Sequence, residues 1–433
     1  MDVFRIRGEV ALNGTIKVSG SKNAALPLFA ASLLSEEETI LENVPDLSDV
    51  QFMAEILTEL GAKVKRINRN AWKINPSSII HSAPYELVRK MRASICLLGP
   101  LVARLRRAEI PMPGGCVIGN RPIDLHVRAL EGLGAKVELS GGVVVVQGKN
   151  IKGNSLFIGG RHGSTVTGTA NALMLASLTP GQTVLEGSAC EPEIADLCKM
   201  LRQMGADIKG TGSHRLIING VDKLYGCKHS VIPDRIEAGT YMLAGAMTQG
   251  EIKIDGVNTS HLGSFLDLLK NSGVEIQCNG NTAHCRGNFD RLNPMEVVTL
   301  PYPGFPTDLQ AQICALASIT PGLSVITEKV YPSRFMHVPE LLRMGAQISI
   351  EGSSAIIRGI NQLKGAPVMA SDLRASAALI LAGLAARGET WVQRIYHLDR
   401  GYESFEQKLQ SLGAQVERLP ESELPHSISS DKN

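Results

Sequence analysis

Several short motifs set charged or reactive side chains where a glycine- or proline-rich stretch gives way to an apolar run. Gly20 to Ala25 places Lys22 and Asn23 at the opening of a helix, where a cation opposes the helix dipole unless an anion lies there. Lys90 to Ser94 brings Arg92, whose guanidinium could clasp a phosphate through two hydrogen bonds or equally sit as a solvated helix charge. Pro111 to His126 reads as a flexible loop entering a helix near Asp124. That loop carries Cys116 on no apolar stripe, with Arg121 close by, and a thiol beside cations becomes a stronger nucleophile as its pKa falls. Asp308 falls at the start of an apolar helix, where it could cap the helix or act as a general base. Asp234-Arg235, Asp372-Leu373-Arg374 and Asp399-Arg400 repeat one theme, an aspartate beside an arginine at a helix start. Structural ion pairs could explain each, but the recurrence favours a shared anion-lined cleft.

The elements that position these groups repeat. Leu60-Gly61-Ala62-Lys63-Val64 returns as Leu133 to Val137, Met204 to Ile208, Ser272 to Ile276, Met344 to Ile348 and Leu412 to Val416. The spacing is roughly seventy residues, a period that marks repeated structural units. Each signature follows apolar residues at helical intervals, so its glycine ends a helix, and an extended run such as Val143 to Val146 comes next. A second, alanine-rich helix opens each unit, as over Thr169 to Leu178, Gln310 to Ser318 and Ala375 to Ala386, and such helices can be buried on all sides. Six α/β units divide into two domains of three.

The bulk properties narrow the function. The 433 residues carry 44 basic and 42 acidic side chains, a net charge of +2 that argues against a general nucleic-acid or membrane-surface binder. No apolar run reaches the length of a membrane span, and Met1 to Val10 lacks the apolar core of a signal peptide. Eight cysteines without a CxxC pair point away from zinc and redox motifs and fit free thiols in a reducing cytoplasm.

Together the motifs resemble the enolpyruvyl transferases. GSKNAALP, PGGC, IGNRP, EPEI, PDRIEAGT, FPTDLQAQ, RFMHVPEL, SDLRASAALILAG and YHLDRGYE stand in the family's order from Met1 to about Leu419. The match is closest to the members acting on UDP-N-acetylglucosamine in peptidoglycan synthesis; the shikimate 3-phosphate members lack the loop cysteine. The resemblance implies a two-lobed inside-out α/β barrel with three repeats per lobe, helices inside and sheets outside. Residues 1–21 with 230–419 would form one lobe and 22–229 the other, leaving a tail, 420–433, without order.

It also implies the chemistry. Phosphoenolpyruvate and UDP-N-acetylglucosamine would bind between the lobes, with no cofactor and no metal. Lys22, Asn23, Arg121 and Arg400 would hold phosphoenolpyruvate. Arg92, Arg121, Pro122, Ile123, Asp124, Leu125, Ser164, Thr165, Val166, Asp308 and Val330 would read the nucleotide sugar. Asp308 would take the proton of the sugar 3-hydroxyl, Cys116 would protonate C3, and Asp372 and Arg374 would serve lobe closure and phosphate handling. The sequence departs from the family twice. A lysine common near the nucleotide is missing around Gly163 to Thr167, and Tyr331 replaces a common phenylalanine. Two alternatives stay open: transfer to shikimate 3-phosphate, or a nucleotide-sugar sensor without catalysis. Oligomeric state is not legible in the sequence.

Overall fold

The computed structural model describes residues 2–112 and 123–425. The recurring glycine ends a helix the same way each time. Gly61, Gly134, Gly205, Gly273, Gly345 and Gly413 all have φ between 89° and 105°. The next amide then reaches back to the carbonyl five residues earlier, as from Ala62 to Leu57 (3.0 Å) and from Ala414 to Leu409 (3.0 Å). These bonds satisfy carbonyls that a helix end would otherwise leave open, and they turn the chain into the following strand.

The helices before these glycines are Ser48–Glu59, Asp124–Gly132, Pro192–Gln203, Gly263–Asn271, Val338–Arg343 and Phe405–Ser411, each burying one side. A second set is Lys22–Ala31, Leu98–Leu105, Val166–Ser177, Arg235–Met247, Gln310–Ser318 and Leu373–Ala385. These are buried nearly all round; in the last, every residue from Arg374 to Leu384 is buried. Small alanine, glycine and serine side chains let such helices pack closely without a polar face.

Among the described residues the chain divides into two units, 2–18 with 235–425, and 19–112 with 123–234. Each has its own apolar core. In the first unit, Arg235–Met247, Gln310–Ser318 and Leu373–Ala385 pack on one another inside three four-stranded sheets. The strands bury alternate residues: Leu323–Glu328 buries Ser324, Ile326 and Glu328. In one of these sheets the first strand, Asp2–Arg7, lies between Glu389–Gln393 and Gln415–Pro420, antiparallel to both. Asp2 faces Pro420, and a 3₁₀ turn follows over Glu421–Glu423. Regular structure therefore continues to Glu423, past the point where the sequence suggested a tail without order; pairing with the N-terminal strand carries it to Pro420.

Among the described residues, the second unit repeats the plan with two four-stranded sheets and one of three strands, Arg107–Pro111, Val143–Gln147 and Lys136–Ser140. Its fourth position is reduced to one parallel bridge between Ser82 and Glu109. This unit extends beyond the expected 22–229. Gly20 and Pro233 form a bridge, the Ser21 amide donates to the Ile232 carbonyl (2.7 Å), and the Asp234 amide to the Ser19 carbonyl (2.9 Å). The two connecting stretches thus bond to each other. No described helix is long and apolar enough to cross a membrane.

Candidate active site

Asp308 lies in a 3₁₀ turn, Thr307–Leu309, ahead of the buried helix Gln310–Ser318. Its carboxylate does not cap that helix. It accepts instead from two arginines: Oδ2 from Arg374 Nη2 and Oδ1 from Arg334 Nη1, each at 2.9 Å. Both guanidiniums are almost fully buried, while Asp308 keeps 26% of its side-chain surface open. Burial works against the Asp308 charge, yet Arg374 and then Arg334 outweigh it and hold the carboxyl well below the usual carboxylate range.

The surrounding side chains fix this cluster. Asp372 caps the helix Leu373–Ala385, accepting from the Arg374 amide (2.9 Å) and the Ala375 amide (3.1 Å). The sequence theme of Asp beside Arg is therefore not a local ion pair here: Asp372 is the cap, and Arg374 bonds to Asp308. The Arg374 guanidinium sits 5.3 Å from the Tyr402 ring centroid. Gln312 Nε2 donates to the Asp308 carbonyl (3.1 Å) and to Tyr402 Oη (3.2 Å). Arg334 lies 5.9 Å from the ring of Tyr331. Arg400 closes the 3₁₀ turn Ile395–Arg400, and its neighbour Asp399 is held from a distance by Arg418 through two bonds, 2.7 and 3.1 Å. His397 in that turn is pushed down by burial first and then by the charge of Arg400.

In the second unit, Lys22 opens the helix Lys22–Ala31 behind the Ser21 cap. The anion expected at this helix start is within the chain itself: Lys22 Nζ lies 3.1 Å from Asp49, which is 3% exposed. Asn23 follows in the same turn. Ile123, Asp124 and Leu125 open the helix Asp124–Gly132, while Thr165 caps Val166–Ser177 by accepting from the Gly168 amide (3.2 Å). Ser164 Oγ is buried with no partner among the described residues.

One buried network joins these segments. Asn171 Nδ2 donates to His126 Nδ1 (2.8 Å) and to the Ile95 carbonyl (2.8 Å), and its Oδ1 accepts from the Gly99 amide (2.8 Å). A side chain at Gly99 would strike Asn171 at 2.5 Å, so only glycine allows this approach. With Nδ1 accepting, His126 Nε2 donates to Thr167 Oγ1 (3.1 Å). Burial, and then the charge of Arg92, push His126 down to about 4. Arg92, the Asp124 helix start and the Thr165 helix start thus gather around one neutral histidine. Cys116, Arg121 and Pro122 lie outside the described residues. No group of His, Cys, Asp and Glu among the described residues could hold a metal ion.

Sequence reasoning did not single out Arg334, Asp49, His126, Asn171 or the buried Glu328 beside Val330. Their partners are distant in the chain, so no local spacing marks them. Arg334 carried one signal, an arginine opening the RFMHVPEL segment.

Comparison with known proteins gives the same family from three directions. The pattern of the EPSP synthase (3-phosphoshikimate 1-carboxyvinyltransferase) family matches residues 6–409. A UDP-N-acetylglucosamine 1-carboxyvinyltransferase of Methylacidiphilum infernorum is 51% identical over 97% of this chain and 99% of its own length. One of Akkermansia muciniphila is 49% identical over the same shares. Among solved structures, the enolpyruvyl transferase NikO from Streptomyces tendae superposes with a TM-score of 0.88 at 25% identity, covering 96% of this chain and 99% of that one. EPSP synthase from Acinetobacter baumannii shares the fold, with a TM-score of 0.74 at 17% identity over 97% of this chain and 100% of its own. With nearly its whole length matched in sequence and in fold, the chain belongs to the enolpyruvyl transferase family.

Proposed function

We propose that the chain transfers the enolpyruvyl group of phosphoenolpyruvate to the 3-hydroxyl of UDP-N-acetylglucosamine, releasing phosphate, as the committed step into peptidoglycan. The observation that carries this reading is the Asp308 carboxylate held between two buried guanidiniums, in a chain about half identical to relatives named for that reaction. The sugar oxygen attacks C2 of phosphoenolpyruvate, its proton passes to Asp308, and Cys116 gives a proton to C3. From that adduct C3 loses a proton, the C2–O bond to phosphate breaks, and the double bond returns. Lys22, Asn23, Arg121 and Arg400 hold phosphoenolpyruvate and offset the repulsion between two anionic reactants. Asp49 keeps Lys22 oriented for this role. Arg92, Arg121 to Leu125, Ser164 to Val166, Asp308 and Val330 hold the nucleotide sugar, and Arg374, seated by its Asp372 cap, steadies Asp308. We place the enzyme in the cytoplasm, in keeping with eight cysteines that form no CxxC pair.

The family pattern itself carries the name of the shikimate enzyme, which supports a second reading, transfer to shikimate 3-phosphate. A phosphate-release assay offering each acceptor in turn separates the two. Turnover with UDP-N-acetylglucosamine alone is expected; turnover only with shikimate 3-phosphate would reverse the assignment, and tight binding of the nucleotide sugar without phosphate release would indicate a sensor.

A further inference from the structure

Glu328 is fully buried at the end of the strand Leu323–Glu328, and no step above uses it. Its carboxylate faces four donors. Oε1 accepts from Thr299 Oγ1 (2.6 Å) and from the amides of Val330 and Tyr331, each at 2.8 Å; Oε2 accepts from Thr307 Oγ1 (2.8 Å). A hydroxyl has one proton, and Thr307 gives it to Glu328, so its lone pair faces the other way. There it accepts from Arg334 Nη1 (2.9 Å), the same nitrogen that donates to Asp308. The result is a continuous chain of hydrogen bonds linking the Val330–Tyr331 turn through Glu328, Thr307 and Arg334 to Asp308, with Glu328 accepting from both sides and Arg334 donating to both.

We infer that Glu328 and Thr307 are positioning residues that set the Val330 turn and the Asp308 carboxylate in one fixed geometry, so that the acceptor and its base are aligned together. The inference rests on the proposed role of Asp308. Three features separate it from a plain turn cap. First, capping the turn needs only Oε1, whereas Oε2 is committed to Thr307. Second, this polarity requires a group that only accepts: glutamine at 328 would either turn its N–H toward Thr307, leaving the threonine proton without its acceptor, or toward the turn, losing the bonds from the Val330 and Tyr331 amides. Third, Arg334 divides its Nη1 between Thr307 and Asp308, so its position relative to the carboxylate depends on the threonine oxygen.

The test is a double-mutant cycle on turnover, run with the purified chain and with each substrate varied while the other is saturating. Thr307→Val keeps the volume and removes the hydroxyl link. It is expected to lower kcat on the order of tenfold to a hundredfold, as a small misplacement of a base does, while leaving the phosphoenolpyruvate KM little changed. Thr307→Ser should restore most of the rate. Glu328→Gln should lower kcat similarly and also raise the KM for UDP-N-acetylglucosamine, because it loosens the Val330 turn. Added to Asp308→Ala, Thr307→Val should cost no further rate, because its effect passes through that carboxylate. Fully additive losses, or normal kcat in Thr307→Val, would overturn the inference even with Glu328→Gln unfolded. Asp308→Ala with unchanged kcat would instead sink the role of Asp308, and with it this coupling.

Discussion

Two guanidiniums hold the Asp308 carboxyl well below the usual carboxylate range, which makes it a weak proton acceptor in the ground state. That suits a reaction in which the donor is an alcohol. A sugar hydroxyl gives up its proton only as its oxygen bonds to C2 and acquires positive charge, and at that point a weak, well-placed base suffices. The same arrangement predicts how pH should act. Replacing Arg334 by glutamine removes one of the charges that depress Asp308, so its pKa rises. The acid limb of the kcat/KM profile should then move to higher pH in Arg334→Gln, along with a lower rate; an unmoved limb would show that Asp308 is not the group that titrates. At Cys116, which lies outside the described residues, Cys116→Ser should abolish covalent labelling by fosfomycin, an epoxide that the family resemblance marks as a reagent for this cysteine. Full labelling by mass spectrometry in the variant would reassign the thiol. Local motifs made Asp308 and Arg374 visible in the sequence. They could not show which partners each would choose: Asp372, next to Arg374, turned out to cap a helix, and Arg334 came from another stretch of chain.

Among the elements, the glycine signature was the most legible feature, because one backbone conformation at one position leaves few alternatives. It also discriminates between copies. Gly413 has φ +97° with open space where a side chain would go, whereas a Cβ on Gly273, at φ +89°, would lie 1.9 Å from the Arg291 carbonyl oxygen. Gly413→Ala should cost about 1 kcal/mol, the cost of the left-handed conformation alone. Gly273→Ala should cost clearly more, since a backbone carbonyl must also move. Denaturant titration of both variants checks this, and equal losses would contradict it. The alanine-rich helices were also legible, since burial on all sides leaves no polar stripe. The sheets were less so. Nothing in residues 78 to 84 announces that the strand beside Arg107–Pro111 shrinks to a single bridge, and Asp2 and Pro420, which pair, lie too far apart in the sequence for any local pattern to link them.

For the whole molecule, each unit carries a buried neutral histidine, His126 in one and His337 in the other. Burial is the main cause, and both are pushed down to about 4. The sign follows from linkage. Below its ordinary value near 6.5 an unfolded histidine takes a proton that the folded one refuses, so stability is full above that pH and falls as pH drops toward about 4. Each could contribute up to roughly 3 kcal/mol over that window. Melting temperature should therefore fall on acidification from pH 7 to pH 5, and by less in His126→Gln; a flat profile in the native chain would refute the assignment of both. The division into two units was readable from the repeats, while their edges were not, because backbone bonds such as Ser21 to Ile232 extend the second unit past the last strand that the pattern reveals. The most direct test of the functional account is phosphate release from phosphoenolpyruvate by the native chain, measured with and without UDP-N-acetylglucosamine. The account predicts phosphate only when the nucleotide sugar is present, in equal amount to an enolpyruvyl product; no phosphate with both substrates, or release that ignores the sugar, would contradict it.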